Sequence, residues 1–187
     1  DPESATKPIW VDDSSYVASL IAASNRRIIG GFPRGALSMR DRPEDSETQL
    51  IAPTAGGLSR ALRMVNVSNV SFEDFQFLNG VANGGTAEDQ KGGNVYISSA
   101  TGSNSFINCT FQAAQARWGG SMSIRNSNVL ISHGYFNSNQ AEGGGGLFVE
   151  GASQVTLQSP YFLANSATGD GGRSEEHTSE LQSPSAI

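Results

Sequence analysis

The sequence predicts an all-β solenoid, a parallel β-helix in which the chain winds into a stack of similar coils built from short strands. A segment that opens with a pair of glycines recurs with a period of about 26 residues. Within each copy, apolar and polar residues alternate over short runs, which is typical of strands. No copy contains an amphipathic stretch of helix length, which argues against helical and leucine-rich solenoids. We therefore expect roughly five or six coils between residues 26 and 172.

The repeat becomes visible when the chain is written from one glycine pair to the next, as residues 92–118, 119–143 and 144–170. Equivalent positions keep their chemistry in four columns, and residues 62–82 supply an earlier copy. The columns are Val95, Met122 and Leu147; Ile97, Ile124 and Val149; Ile107, Ile131 and Leu157; and Phe111, Phe136 and Phe162, with Leu62, Met64, Phe72 and Phe77 from the earlier copy. Stacked strands lie ~4.8 Å apart, so we expect aliphatic ladders on two faces and a phenylalanine ladder on the third.

The glycine pairs are predicted to lie at a corner of the coil. A corner needs positive φ or close backbone approach, and glycine allows both. Asn79, Asn139 and Asn165 recur just after the aromatic column, with Gln115 replacing asparagine in one coil. Asparagine tolerates left-handed φ and can bond to neighbouring backbone, so these residues are interpreted as a corner ladder.

The two ends differ from the repeats. Residues 1–25 are interpreted as an N-terminal cap or linker, in which residues 12–25 form a short helix capped at Asp13 or Ser14 that covers the first coil. In residues 173–187, "RSEEHTSELQSPSAI", the alternation stops and acidic residues accumulate. This stretch resembles an in-frame translation of a common sequencing adapter. We interpret it as a non-native, disordered tail, and expect the natural protein to continue past Gly172.

Composition and charge exclude several classes of function. The net charge of −6 and the pI of about 4.8 argue against a nucleic-acid partner, which requires a basic surface. No apolar run approaches the ~20 residues of a membrane-spanning helix, so no membrane span is expected in this fragment. The single cysteine, Cys109, excludes an internal disulfide and is predicted to be a small packing residue.

A solenoid has a packed interior, so function is expected on outward side chains and inserted loops. The step from Met64 to Ile97 is about seven residues longer than the repeat. The surplus falls in the polar stretch 79–93, which is predicted to expose Glu88, Asp89 and Lys91. Trp118 could stack on a sugar. These four residues are the candidate binding residues, with a plain insertion as the alternative interpretation.

The outward positions after the second strand are the candidate place for a catalytic site. The predicted columns are Glu73, Asn108, Ser132 and Gln158, followed by Asp74, Cys109, His133 and Ser159. Only one coil contributes acids, and two coils, roughly 10 Å, separate Asp74 from His133. That separation exceeds hydrogen-bond reach. The arginines of residues 26–42 alternate with acidic residues and predict a mixed, solvated loop. No catalytic residue, metal site or cofactor is therefore predicted.

Three Asn-x-Ser/Thr triplets begin at Asn66, Asn69 and Asn108. In a eukaryotic secreted protein they are candidate glycosylation sites, which implies surface positions. In another source they carry no function.

The repeat motifs resemble those of a known family. "GGNV", "GGSM" and "GGLF", together with "FNSN" (136–139) and "FLAN" (162–165), resemble the GGA[ILV] and FxxN repeats of the polymorphic outer-membrane proteins, although alanine does not follow the glycines here. More broadly, residues 26–172 resemble the right-handed parallel β-helix of the pectin-lyase-like superfamily. "RRIIGGF" (26–32) and "TQLIAP" (48–53) are similar to the opening of many secreted surface β-helix proteins.

This resemblance implies an extracellular or cell-surface protein with an adhesive or stalk role. Its expected partner is a carbohydrate or a host or cell-surface ligand. The alternative is a fragment of a polysaccharide lyase or glycoside hydrolase whose catalytic coils lie beyond Gly172. The absence of stacked acidic residues favours the non-enzymatic interpretation.

Overall fold

The computed structural model describes residues 7–54 and 58–169, and these residues form an all-β fold of stacked strands. Sheet A contains β1 (Ile9–Asp12), β4 (Arg26–Phe32), β8 (Val70–Glu73), β12 (Asn104–Ile107), β16 (Asn128–Ser132) and β20 (Gln154–Gln158) in that order. Sheet B contains β2 (Ser15–Val17), β5 (Thr48–Ile51), β9 (Phe75–Leu78), β13 (Thr110–Gln112), β17 (Tyr135–Asn137) and β21 (Tyr161–Leu163). All pairs in both sheets are parallel.

Two further sheets complete the coils. Sheet C contains β3 (Leu20–Ile21), β7 (Leu62–Val65), β11 (Val95–Ser98), β15 (Met122–Arg125) and β19 (Leu147–Glu150). Sheet D contains two-residue strands, β6 (Leu58–Ser59), β10 (Val81–Ala82), β14 (Gln115–Ala116), β18 (Gln140–Ala141) and β22 (Ser166–Ala167). The pair β6–β10 is antiparallel, and the others are parallel. This architecture is β-helix-like, and each sheet takes one strand from each successive coil.

The register confirms most of the predicted columns. Val95 pairs with Met122, and Met122 pairs with Leu147, so equivalent residues of sheet C lie directly above one another. The phenylalanines of sheet B form a continuous stack inside the solenoid. Their ring centroids are 5.4 Å apart for Phe77 and Phe111, and 4.7 Å apart for Phe111 and Phe136 and for Phe136 and Phe162. Like side chains therefore pack on like through the core, as the repeat predicts.

One column was predicted out of register by one residue. Phe106, and not Ile107, pairs with Phe72 and Ile131 and points into the core. Ile107 instead lies in the outward column with Glu73 and Ser132. Asn108 and Cys109 each move by one position in consequence, and Cys109 is buried in the core, as predicted for a packing residue. Both Phe106 and Ile107 are apolar, so the alternation of the sequence could not choose between them.

The glycine pairs lie at the predicted corner. The first glycine of each pair has a left-handed φ, which is 62° at Gly92, 67° at Gly119 and 62° at Gly144. Gly120 follows, and a Cβ on it would lie 2.1 Å from the carbonyl oxygen of Gly145 in the next coil. The corner therefore needs glycine both for backbone conformation and for the close approach of two coils.

The hydrogen bonds of the asparagine ladder are confirmed at two of its three positions, but the left-handed φ falls on the preceding residues, Ser138 (55°) and Ala164 (53°). Asn139 Nδ2 donates to the Phe111 carbonyl, and Asn139 Oδ1 accepts from Ala114 N. Asn165 makes the equivalent bonds to Phe136 O and Asn139 N one coil further on. Asn79 lies one residue too early, at the exposed left-handed position.

A different residue takes the place predicted for Asn79. Asn94, which is fully buried next to the glycine corner, donates to Phe77 O and accepts from Gly80 N. In the coil where Gln115 was predicted to replace asparagine, the equivalent position is Ala114. Its amide is bonded by Asn139. The ladder is thus defined by the backbone groups that need hydrogen-bond partners. The asparagine that bonds to them can come before or after the strand of sheet D.

The predicted N-terminal helix is wrong. Residues 9–21 instead form β1, β2 and β3, which pair with β4, β5 and β7 and extend sheets A, B and C by one strand each. The backbone amides of this stretch bond to the next coil, which a helix would have prevented. In the described part of the chain, no helix is long and apolar enough to cross a membrane. The predicted tail, residues 173–187, lies outside the described residues.

Candidate functional site

The polar insertion folds back against the outer face of sheet C. Arg60 fastens it: its guanidinium donates to the carbonyl oxygens of Glu88 (2.5 Å), Lys91 (2.7 Å) and Gly92 (3.0 Å). The same group lies over the ring of Tyr96, 5.0 Å from its centroid, and only 5% of Arg60 is exposed. Burial lowers the pKa of Arg60, and the nearby Asp89 carboxylate opposes that shift. No pattern in the sequence predicts this role of Arg60, because its partners are backbone groups about 30 residues away.

The predicted binding residues in this loop are engaged with the protein itself. Arg63 Nη2 donates to Glu88 Oε1 at 2.8 Å, and Thr86 Oγ1 donates to Asp89 Oδ2 at 2.6 Å. The Lys91 ammonium forms an ion pair with Glu150, and only 12% of the Lys91 side chain is exposed. The prediction that Lys91 is exposed is therefore wrong, because its side chain extends along sheet C to reach this carboxylate.

Trp118 lies beside the same face. Lys91 and Trp118 form a parallel bridge, so the structure brings these two candidates together. The indole of Trp118 packs on Phe148, with ring centroids 5.2 Å apart, and the Arg117 guanidinium lies 5.7 Å from the indole. These contacts make Trp118 and the loop an outer layer over sheet C whose charges are mostly compensated internally.

The three candidate glycosylation residues lie at exposed turns. Asn66, Asn69 and Asn108 have φ values of 54°, 55° and 50°. The Asn69 amide also bonds to Asn25 Oδ1 and accepts from Ser103 N. A glycan on Asn69 would compete with this contact between coils, whereas the positions themselves are compatible with surface modification.

A second charged cluster lies outside the junction of sheets A and B. It is formed where the segment 33–47, between β4 and β5, folds over the sheet. Arg42 pairs with Asp74 and lies 3.4 Å from Glu73 Oε1, and Arg27 Nη2 donates to Glu73 Oε2 at 2.9 Å. Ion pairs from Arg42 to Glu73 and Asp74 thus attach the segment 33–47 to the solenoid.

Two carboxyl groups of this region have shifted proton affinities. Burial raises the pKa of Asp74, against the opposing effect of Arg42. Burial also raises the pKa of Glu47, which accepts a hydrogen bond from Gln76. A carboxyl with a raised pKa can donate a proton at higher pH than an ordinary acid. We name Arg27, Arg42, Glu47, Glu73 and Asp74 the corner charge cluster.

The side-chain contacts at these sites are ion pairs and hydrogen bonds. Among residues 7–54 and 58–169, no group of three or more His, Cys, Asp or Glu side chains could hold a metal ion. His133 lies two coils from Asp74, with Asn108 between them, and its Nδ1 is 3.0 Å from Ser132 Oγ. Comparison of the chain with protein-family models, curated proteins and solved structures found no match.

Proposed function

We propose that the chain is the β-helical segment of an extracellular or cell-surface protein, with an adhesive or stalk role. In this proposal the helix is right-handed, with about five or six coils, and belongs with the pectin-lyase-like surface proteins that its GG and FxxN motifs resemble. The observation that carries the proposal is the unbroken phenylalanine stack beneath outer faces whose charged side chains pair with one another.

The proposal is supported by the contrast between the packed apolar interior of the solenoid and its polar outer surface. Stacked side chains of the same type stabilise a long rigid rod, because each coil buries its apolar residues against those of its neighbours. A rod of this kind displays loops and flat polar strips at regular spacing. Such a surface suits attachment, because rigid scaffolds present binding groups without an ordering cost on binding.

Adhesion is tested by coupling the folded protein to beads and measuring their retention on surfaces coated with acidic polysaccharides (polygalacturonate, alginate, hyaluronan) and neutral ones (starch, mannan, xylan). We expect retention on at least one surface and no change in the polysaccharide. Beads carrying protein unfolded by heat provide the control. Equal retention of native and unfolded protein on every surface contradicts the proposal.

A carbohydrate-active enzyme is the second candidate, and the corner charge cluster favours it. Lyases and hydrolases use carboxyl groups as acids or bases, and the raised pKa of Asp74 beside Arg42 suits a proton donor next to a group that binds anionic sugars. The same polysaccharides are incubated with the protein, and unsaturated products and new reducing ends are followed. Turnover that is lost in Asp74→Asn supports the enzyme, and its absence in wild type favours the adhesive role.

A further inference from the structure

A cleft lined by exposed aromatic side chains lies at the N-terminal end of the solenoid. It is formed by β1, the start of β2 and the chain that follows β4, and its volume is about 310 Å³. The residues that line it include Trp10, Asp12, Tyr16, Phe32 and Arg34. No candidate site is predicted here from the sequence, because residues 12–25 resemble a capping helix.

The aromatic side chains of the cleft are held in place. Trp10 stacks on Phe32, with ring centroids 4.9 Å apart and planes 12° apart, yet 38% of Trp10 remains exposed. Phe32 is buried and is backed by the Arg42 guanidinium, 5.7 Å from its ring. One face of the indole therefore packs on Phe32, and more than a third of the residue remains accessible to a ligand. A rigid aromatic ring offers a large contact area at a low cost in conformational entropy.

The polar groups of the cleft are arranged around Asp12. Its carboxylate accepts hydrogen bonds from the Tyr16 hydroxyl and from Ser14 N, and Arg34 Nε lies 3.5 Å from Oδ2. The Tyr16 hydrogen bond lowers the pKa of Asp12, so the group is an acceptor at neutral pH. Arg34, with 87% of its side chain exposed, is a donor. One acceptor and one donor of opposite charge leave the cleft without net charge.

We propose that this cleft binds a neutral saccharide, with one sugar ring stacked on Trp10 and its hydroxyl groups bonded to Asp12 and Arg34. A sugar ring combines an apolar face of C–H groups with hydroxyls at its edge, which matches an aromatic platform bordered by a carboxylate and a guanidinium. Because Asp12 and Arg34 compensate each other, the cleft gives an anionic sugar no electrostatic advantage over a neutral one. This inference rests on the adhesive function proposed above and names the chemical class of its ligand.

The chain has two tryptophans, so Trp118→Phe leaves Trp10 as the single indole reporter. This variant is titrated with maltohexaose, cellohexaose, mannohexaose and chitohexaose while Trp10 fluorescence is recorded, and binding by the wild type is measured by calorimetry. We expect a saturable change in emission with at least one of them. Trp10→Ala should weaken that binding about tenfold or more. Arg34→Ala, at a highly exposed position, should weaken it about threefold to tenfold without affecting folding.

Two outcomes overturn the inference: no saturable response with any of the four oligosaccharides, or equal binding by wild type, Trp10→Ala and Arg34→Ala. Circular dichroism and sedimentation of each variant check that the fold and the association state are unchanged. A Trp10→Ala protein that changes only its self-association also overturns the sugar assignment.

Failure of the inference is distinguishable from failure of the adhesive function. Wild-type beads that are retained, while none of the four oligosaccharides gives a saturable Trp10 signal, leave adhesion intact and overturn the cleft. Wild-type beads that are retained on no surface, with a Trp10 signal that still saturates, support the cleft and contradict adhesion.

Discussion

Residues 92–168 and residues 9–91 follow the same solenoid in two different ways. In the later part, each coil returns to its starting position after 25 to 27 residues, as the pairs Val95–Met122, Met122–Leu147 and Phe136–Phe162 show. In the earlier part, the register shifts between β1 and β4, and the segments 33–47 and 83–91 lie outside the sheets. The regular part consists of strands joined by short turns, whereas the earlier part contains the corner charge cluster and the aromatic cleft. The departures from the repeat therefore lie in the part of the chain that carries both of these features.

The stability of the regular part is expected to depend most on the phenylalanine stack. Phe111 is fully buried between Phe77 and Phe136. Phe111→Ala removes both contacts and leaves a cavity that rigid neighbouring coils cannot fill, so we expect a loss of about 3–5 kcal/mol in the free energy of unfolding. Urea denaturation measures it. Tyr161→Ala, at a stacked but 44% exposed outer position, is the control and should cost less than about 1 kcal/mol. Similar losses for both variants would mean that the stack carries no special share of the stability.

Buried amides are expected to have the next largest effect, and they connect the two parts. Asn94→Ala leaves the Gly80 amide and the Phe77 carbonyl without their side-chain partner, which should cost about 2–3 kcal/mol. Asn79→Gly, at the exposed left-handed position, should change stability by less than about 1 kcal/mol. The two free energies are compared by chemical denaturation. The reverse order would restore Asn79 to the ladder and remove Asn94 from it.

The same contrast explains what the sequence could predict. Columns such as Val95, Met122 and Leu147 were found because one residue type recurs at one spacing where nothing is inserted. The shift at Phe106 was missed because two adjacent apolar residues satisfy the alternation equally well. The spacing of the asparagines does not predict Asn94, because a backbone group accepts a partner from any segment that reaches it.

The N-terminal strands and the candidate sites were harder to predict for a different reason. A strand in the first coil has a neighbour on one side, so residues such as Val17 and Ile21 remain exposed and the in–out pattern is weak. Residues 12–25 were therefore interpreted as a helix. Arg60, Arg42 and Trp10 acquire their roles from segments distant in sequence, and single residues without a repeat carry no period from which to infer them.

A tighter test of the regular part uses its corners. Gly120→Ala places a methyl group against the Gly145 carbonyl, and we expect the two coils to separate slightly at a cost of about 1–3 kcal/mol. Gly85→Ala in the insertion meets no atom within 4 Å. It should be neutral or should stabilise by up to about 1 kcal/mol, because it restricts the unfolded chain. Thermal unfolding of both variants measures the difference, and a neutral Gly120→Ala would show that the corner does not need its close approach.

The smallest expected effect is the pH dependence of the earlier part, where two acids of the segment 33–47 should act with opposite sign. Burial raises the pKa of Glu47 above its usual 4.5, so the folded state binds this proton more tightly than the unfolded chain. Its contribution to stability is complete below pH 4.5 and is lost as the pH rises through the raised value. Hydrogen bonds from the amides of Leu37 and Ser38 lower the pKa of Asp41 below 3.8. The contribution of Asp41 is present above pH 3.8 and is lost as the pH falls through the lowered value.

Glu47→Gln should therefore gain stability relative to wild type as the pH rises from acid to neutral, whereas Asp41→Asn should lose it over the acid end of the same range. Urea denaturation at a series of pH values gives both differences. Parallel pH profiles for the two variants would contradict the argument that burial governs one acid and backbone donors govern the other. Opposite profiles would show that the burial of Glu47 and the turn at Ser38–Asp41 both persist in solution.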